Sequence, residues 1–133
     1  MTRRGLAATI AASLLLGACA SSTQRPVRTE FEDIPVPKGL DYRADDSTIV
    51  ETPNVKAVRY VYRGRLEPES LATAIRSTLE ANGWRHVSST RNSTHGATQV
   101  YEKDGDSLQV QVSEGIWYTY AEYTTGRVVK RPK

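Results

Sequence analysis

Cysteine occurs once in the 133 residues, at Cys19, and methionine once, at Met1. A single cysteine cannot close an intramolecular disulfide, so the disulfide frameworks of small secreted scaffolds are excluded. Histidine is nearly as scarce. His86 and His95 lie nine residues apart with no cysteine near either, which is not the ligand spacing of a zinc site. No apolar run reaches the roughly 18–20 residues that a transmembrane helix needs. Phosphate loops, dinucleotide fingerprints and nucleophile elbows are missing as well. Ser88 and Ser89 follow His86 closely, but neighbours in a strand point along or across a sheet and are not expected to form a catalytic relay. Asp104 and Asp106 flank Gly105 and are accounted for by turn chemistry. These absences predict a chain without a cofactor, a metal or an enzymatic activity.

Basic charge is less abundant than it first looks. The formal net charge is +3, from 18 Lys and Arg against 15 Asp and Glu. Arg3 and Arg4 sit in an N-terminal segment that reads as a removable signal. Without them, 16 basic residues face 15 acidic ones, a net charge of +1. The basic residues are interspersed with acidic ones, apart from a short tail at Lys130, Arg131 and Lys133. A nucleic-acid partner needs a contiguous positive face, so none is expected.

Two arginines, an apolar helix-capable stretch and small residues before the cysteine give residues 1–18 the layout of a secretory signal. The stretch Leu16-Gly17-Ala18-Cys19 resembles the lipobox of bacterial lipoproteins. That resemblance implies diacylglyceryl transfer to the Cys19 sulfur, cleavage between Ala18 and Cys19, and acylation of the freed amine, with palmitate among the acyl chains. The thiolate is the nucleophilic form that such a transfer requires. Two or three acyl chains hold firmly where one is marginal, since each buried CH₂ contributes about 0.8 kcal/mol. The start Thr2-Arg3-Arg4-Gly5-Leu6 is also similar to a twin-arginine signal, but its brevity and the lack of a cofactor motif favour general secretory export. Ala20 stands where an aspartate retains many lipoproteins at the inner membrane. In a Gram-negative source this points to the outer membrane, with the domain facing the periplasm.

Beyond the anchor, residues 19–29 read as a flexible polar tether. Residues 30–53 read as an extended arm and loop, stiffened by Pro35 and Pro37 and docked through Phe31, Ile34, Val36, Leu40 and Tyr42, with a short strand at Thr48-Ile49-Val50. Residues 54–130 read as a small α+β domain. Val58, Tyr60, Tyr62 and Leu66 share one face of a strand by period two, and Arg59, Arg63 and Arg65 share the other. Pro68 to Asn82 has Pro in its first turn, Leu71, Ile75 and Leu79 at spacing four, and Gly83 as a cap, which predicts an amphipathic helix. A strand over Trp84 to Ser89 follows. A hairpin then turns at Asp104-Gly105, where Leu108, Val110 and Val112 alternate with Gln109, Gln111 and Ser113. A last strand covers Trp117 to Tyr123, resuming at Arg127 to Val129 after a break at Thr124-Thr125-Gly126. The order β-α-β-β-β(-β) predicts a two-layer α+β fold, an antiparallel sheet of about four to five strands with the helix on one face.

The segments Ile34-Pro35-Val36-Pro37-Lys38-Gly39-Leu40, Tyr62-Arg63-Gly64-Arg65-Leu66 and Asn82-Gly83-Trp84 resemble a layout shared by a class of small, uncharacterised bacterial lipoproteins. The resemblance covers roughly 100 residues, the size of one domain. It implies the architecture and no activity.

Tyr, Trp and Arg dominate binding hot spots, so Arg59, Tyr60, Tyr62, Arg63, Arg65, Trp117, Tyr118, Tyr120 and Tyr123 are the candidate interaction face. The expected role is a non-catalytic interaction or structural module of the envelope. Its partners are the membrane, through the acyl chains, and envelope proteins. The alternative is a binder of lipid, glycan or another small ligand. A flat exposed aromatic patch favours the first, a deep apolar pocket the second, and a cleft gathering His86 and carboxylates an enzyme. Cys19→Ser is expected to abolish palmitate incorporation and leave the precursor uncleaved. Continued labelling of the variant would remove the lipoprotein reading.

Overall fold

The computed structural model describes residues 33–93 and 96–128. The signal 1–18, the tether 19–29 with Cys19, Phe31, His95 and the basic tail 130–133 lie outside the described residues. In chain order the elements are β1 (Asp41–Tyr42), a 3₁₀ turn (Ala44–Asp46), β2 (Thr48–Glu51), β3 (Val55–Gly64), α1 (Pro68–Ala81), β4 (Arg85–Arg91), β5 (Ala97–Lys103), β6 (Asp106–Glu114) and β7 (Thr119–Val128).

The helix is built as its sequence predicts. The Glu67 carboxylate accepts from the backbone N–H groups of Glu69 at 3.0 Å and Ser70 at 2.7 Å, satisfying two donors that no helical carbonyl reaches. Pro68 follows at the first turn, where a missing N–H costs nothing. At the other end Gly83 has φ +86°, so its N–H donates to the Glu80 carbonyl and that of Trp84 to the Leu79 carbonyl. This is a Schellman closure, and it turns Trp84 back onto Leu79 in the core. The Lys103 ammonium donates to the Asn82 carbonyl at 2.8 Å, placing a positive charge on the negative helix end. Leu71, Ile75 and Leu79 are fully buried on one stripe, each contributing about 1.5–3 kcal/mol.

All strand pairs are antiparallel, in the order β1-β3-β7-β6-β5-β4, and β2 pairs with the same edge of β3 as β1. The helix carries the chain from β3 near one side of the sheet to β4 at the other. The meander β4-β5-β6-β7 then returns and sets the last strand against β3. The turn at Asp104 (φ 51°) and Gly105 (φ 84°) has both central residues in the left-handed region, as the Asp-Gly pair predicts.

Among the described residues the α+β order with a single α-helix stands, but the sheet has seven strands, where the sequence predicts four to five. The edge strands come from residues 41–51, where β2 matches the short strand expected at Thr48-Ile49-Val50 and β1 was expected to be arm and loop. There β1 and β2 form one edge interrupted by the 3₁₀ turn. Ser47 mends the interruption: its hydroxyl donates to the Arg43 carbonyl at 2.7 Å and accepts from the Val61 N–H at 2.9 Å. Strand β7 also differs from expectation. It begins after Trp117 and runs unbroken through Thr124-Thr125-Gly126, because β3 and β6 pair with it on both sides there.

One face of the sheet carries the core. Val58, Tyr60, Tyr101, Leu108, Val110, Val112, Ala121 and Tyr123 are buried with the helix stripe. The helix lies over β4, β5 and β6. Over the other half, Ile34, Val36, Leu40 and Leu66 pack against the same core. The arm passes so close to Gly64 that a Cβ there would stand 2.4 Å from the Gly39 carbonyl oxygen and 3.0 Å from a Leu40 methyl. Gly64→Ala should therefore lift the arm and cost about 1–3 kcal/mol. Faster hydrogen exchange at the Arg43 amide, which donates to Val61 at 2.8 Å, is the expected signature; unchanged exchange and melting would show that the arm does not close the core.

Candidate functional site

Paired residues of an antiparallel sheet share a face, so the register sorts the candidate surface residues into two sets. Tyr60, Tyr62 and Tyr123 belong to the helix-covered face. Tyr60 and Tyr123 are buried, and Tyr62 is half-buried against the Tyr42 and Tyr123 rings at centroid distances of 5.5 and 5.4 Å. These three are core residues, which removes Tyr60 and Tyr123 from the expected interaction face. Arg59, Arg63 and Tyr120 belong to the opposite, open face. Arg59 is engaged there, paired with Glu122 at 2.8 Å and donating to the Asp46 carbonyl at 2.9 Å.

Most of the rest of the open face is polar, with Val61 buried and Val100 half-buried among those groups. Gln109, Gln111 and Ser113 on β6 stand beside Thr124, Glu122 and Tyr120 on β7, and Thr98 pairs with Gln111 from β5. A flat aromatic sheet face is thus not what the chain presents.

Five of the nine candidates instead converge at one end of the sheet. The last register pairs, Gly64 with Thr119 and Glu114 with Thr119, bring the end of β3 beside the β6–β7 turn. The Arg63 guanidinium lies 4.3 Å from the centroid of the Tyr118 ring, and that of Arg65 5.5 Å. Both distances are within cation–π range. Tyr120 pairs directly with Arg63. The turn is braced by a bond from the Gly115 N–H to the Tyr118 carbonyl at 2.8 Å. A Cβ at position 115 would meet that carbonyl at 2.8 Å and the Tyr120 ring at 2.9 Å, so the tight turn excludes a side chain. At its apex Trp117 is 78% exposed, and Ile116, which the sequence reading did not single out, is 93% exposed. The missed signal was local: an isoleucine next to a tryptophan, after a glycine and between two strands, has no sheet face to occupy.

Two other places bear chemistry. The register of β4 shifts between His86 and Ser88, and this bulge brings the His86 Nε2 to 2.6 Å from the Ser89 hydroxyl. Period-two alternation does not anticipate a bulge, so the pair is not visible in the sequence. The His86 ring meets Tyr101 edge-on at 5.5 Å. A hydrolytic relay needs a group orienting the other ring nitrogen; among the described residues no carboxylate bonds to it. The described residues also contain no group of three His, Cys, Asp or Glu placed to hold a metal ion. Between the first turns of α1 and strands β4 and β5 lies an open groove of about 550 Å³. Arg91 and Glu69 pair across it at 2.7 Å. At its floor, the buried Gln99 side chain donates to the Ala72 carbonyl at 3.1 Å and accepts from the Tyr101 hydroxyl at 2.9 Å.

No helix among the described residues is long and apolar enough to cross a membrane. No protein-family model, curated protein or solved structure matches the chain.

Burial controls the core phenols. Loss of solvent pushes Tyr62 up to about 12, with Tyr42 and Tyr60 adding to the shift, and pushes Tyr101 up to about 12 against a smaller opposing pull from Arg76. Tyr123 rises further by the same cause, and its hydroxyl is buried without a hydrogen-bond partner. Between pH 10 and 12 the unfolded chain therefore binds fewer protons than the folded one, so stability is intact below pH 10 and falls as pH rises through that window. The melting temperature should drop there while phenolate absorbance rises with it. Ionisation of all tyrosines near pH 10 with the fold intact would contradict the burial of this cluster.

Proposed function

We propose that the chain is a lipid-anchored, periplasm-facing envelope lipoprotein whose α+β domain is a non-catalytic interaction module. The acyl chains on Cys19 locate it, and the corner formed by Ile116, Trp117, Tyr118, Arg63 and Arg65 makes the contact. The exposed Ile116–Trp117 apex carries this reading. Elsewhere the large apolar side chains are covered or stand singly along the sheet's edges and far end, less exposed than these two, and the open face presents mostly polar groups. Two large apolar residues held outward on a braced turn are a standing cost in water, and contact with a partner would recover about 1.5–3 kcal/mol for each. The open, ion-paired groove beside α1 gives less support to a small-ligand binder, since its walls are charged and its volume is not enclosed.

The test is photocrosslinking in intact cells, with p-benzoylphenylalanine introduced into the full chain at position 117 or, on the polar open face, at position 109. Adducts from position 117 and none from position 109 are expected. Adducts from position 109 alone, or none from either, would remove the corner as the contact surface.

A further inference from the structure

We propose that the β6–β7 tip inserts into the interfacial layer of the bilayer that holds the chain's own anchor. This rests on the lipoprotein reading and names the partner of the same corner. Three observations lead to it. First, the apex is convex. Ile116 and Trp117 are 93% and 78% exposed at the end of a hairpin, so they form a wedge rather than the floor of a recess. A protein partner would need a matching pocket, whereas a bilayer accepts any apolar wedge of suitable depth.

Second, the chemistry is graded along the hairpin. The apolar apex comes first, the Tyr118 ring follows, and the Arg63 and Arg65 guanidinium groups lie over that ring at 4.3 and 5.5 Å. Aromatic rings settle at the headgroup level, and long basic side chains keep their charge at the aqueous boundary while their stems contact apolar atoms. Asp41 pairs with Arg63 across β1 and β3, and Glu114 opens the turn, so two acidic groups balance the two arginines. Insertion is thus driven by apolar burial, not by attraction to anionic lipid.

Third, the geometry of attachment is compatible. The arm meets the sheet where Gly39 passes over Gly64, and Gly64 pairs with Thr119 at the base of the tip. Asp33 is six residues upstream of Gly39, within about 21 Å at full extension. Asp33 lies fourteen positions after Cys19, a reach of about 50 Å at most. The sum of these two reaches lets the apex meet the membrane that holds Cys19.

Tryptophan fluorescence reads this directly. The full chain purified from cells is reconstituted into vesicles of phosphatidylcholine brominated on its acyl chains, alongside unbrominated controls. Bromine should quench the wild-type emission and leave that of Trp117→Phe unchanged, because the remaining Trp84 is buried in the core. Ile116→Ser should shift the inserted-to-withdrawn ratio of the tip about tenfold toward withdrawn, read as weaker quenching, given one side chain's apolar burial. Equal emission in brominated and plain vesicles would overturn the insertion. The mass of the purified chain reports the anchor separately: an unacylated mature chain overturns the lipoprotein reading, and its quenching on addition to the same vesicles still decides the tip. In cells, a phospholipid adduct from position 117 supports insertion. A protein adduct there, whether a second copy or another envelope protein, overturns the bilayer as occupant while leaving the corner as the contact surface.

Discussion

One narrow helix has to cover a wide sheet, and the rest of the architecture follows from that mismatch. Six strand positions at about 4.8 Å spacing put the outer strands about 24 Å apart, whereas a helix with its side chains is about 10–12 Å across. The helix lies over β4, β5 and β6, and half the apolar face would be wet without a second cover. The arm from Ile34 to Leu40 supplies it. Pro35 and Pro37 favour an extended backbone, which places Ile34, Val36 and Leu40 against the core without needing a second helix. Close approach of that backbone is the reason for glycine at position 64. The Tyr60 and Tyr123 rings are buried and are linked through Tyr42 and Tyr62, with successive ring centroids 5.4 to 6.0 Å apart.

The parts that could be read from sequence are those fixed by local rules. The helix announced itself through Glu67-Pro68, the Leu71-Ile75-Leu79 stripe and Gly83, and the β5–β6 hairpin through Asp104-Gly105. Of the edge strands, Thr48–Glu51 was legible in its Thr48-Ile49-Val50 run, but Asp41–Tyr42 was not. Asp41–Tyr42 is only two residues long and solvent-exposed, and it is a strand because the edge of β3 offers it hydrogen bonds. Alternation shows which residues share a face but not which face is covered. That is why Tyr60 and Tyr123 looked like surface aromatics and proved to be core. Tyr60 did carry the clue, since it shares parity with Val58. The bulge that joins His86 to Ser89 is set by pairing with β5, not by any signature in β4.

The two faces divide the tasks of the molecule. Apolar and aromatic volume is concentrated under the helix and arm, while the open face is dressed with amides, hydroxyls and paired charges such as Arg59 with Glu122. A polar open face does not invite stacking with another sheet. The exposed apolar side chains on the sheet lie at its ends and edges: Ile116 and Trp117 at the β6–β7 turn, Val50, Val55 and Val128 at the opposite end, and Tyr42, Ile49 and Val87 on the edge strands. The basic and aromatic residues chosen from sequence therefore matter as a corner, and the chemistry of that corner differs from that of a sheet surface.

The position of β7 has a consequence for how the chain comes to be folded. It is the last strand in sequence, yet it lies between β3 and β6, pairing along its whole length with the first and along eight residues with the second. The sheet therefore cannot be assembled progressively from the N-terminus. Until Thr119–Val128 is present, β3 has only its short edge partners and β6 lacks a neighbour on one side, so the two halves of the core remain unjoined. Closure depends on contacts between distant parts of the sequence, the kind that form slowly. For the exported chain proposed above, threaded N-terminus first, this order would delay closure of the core until the strand Thr119–Val128 has followed.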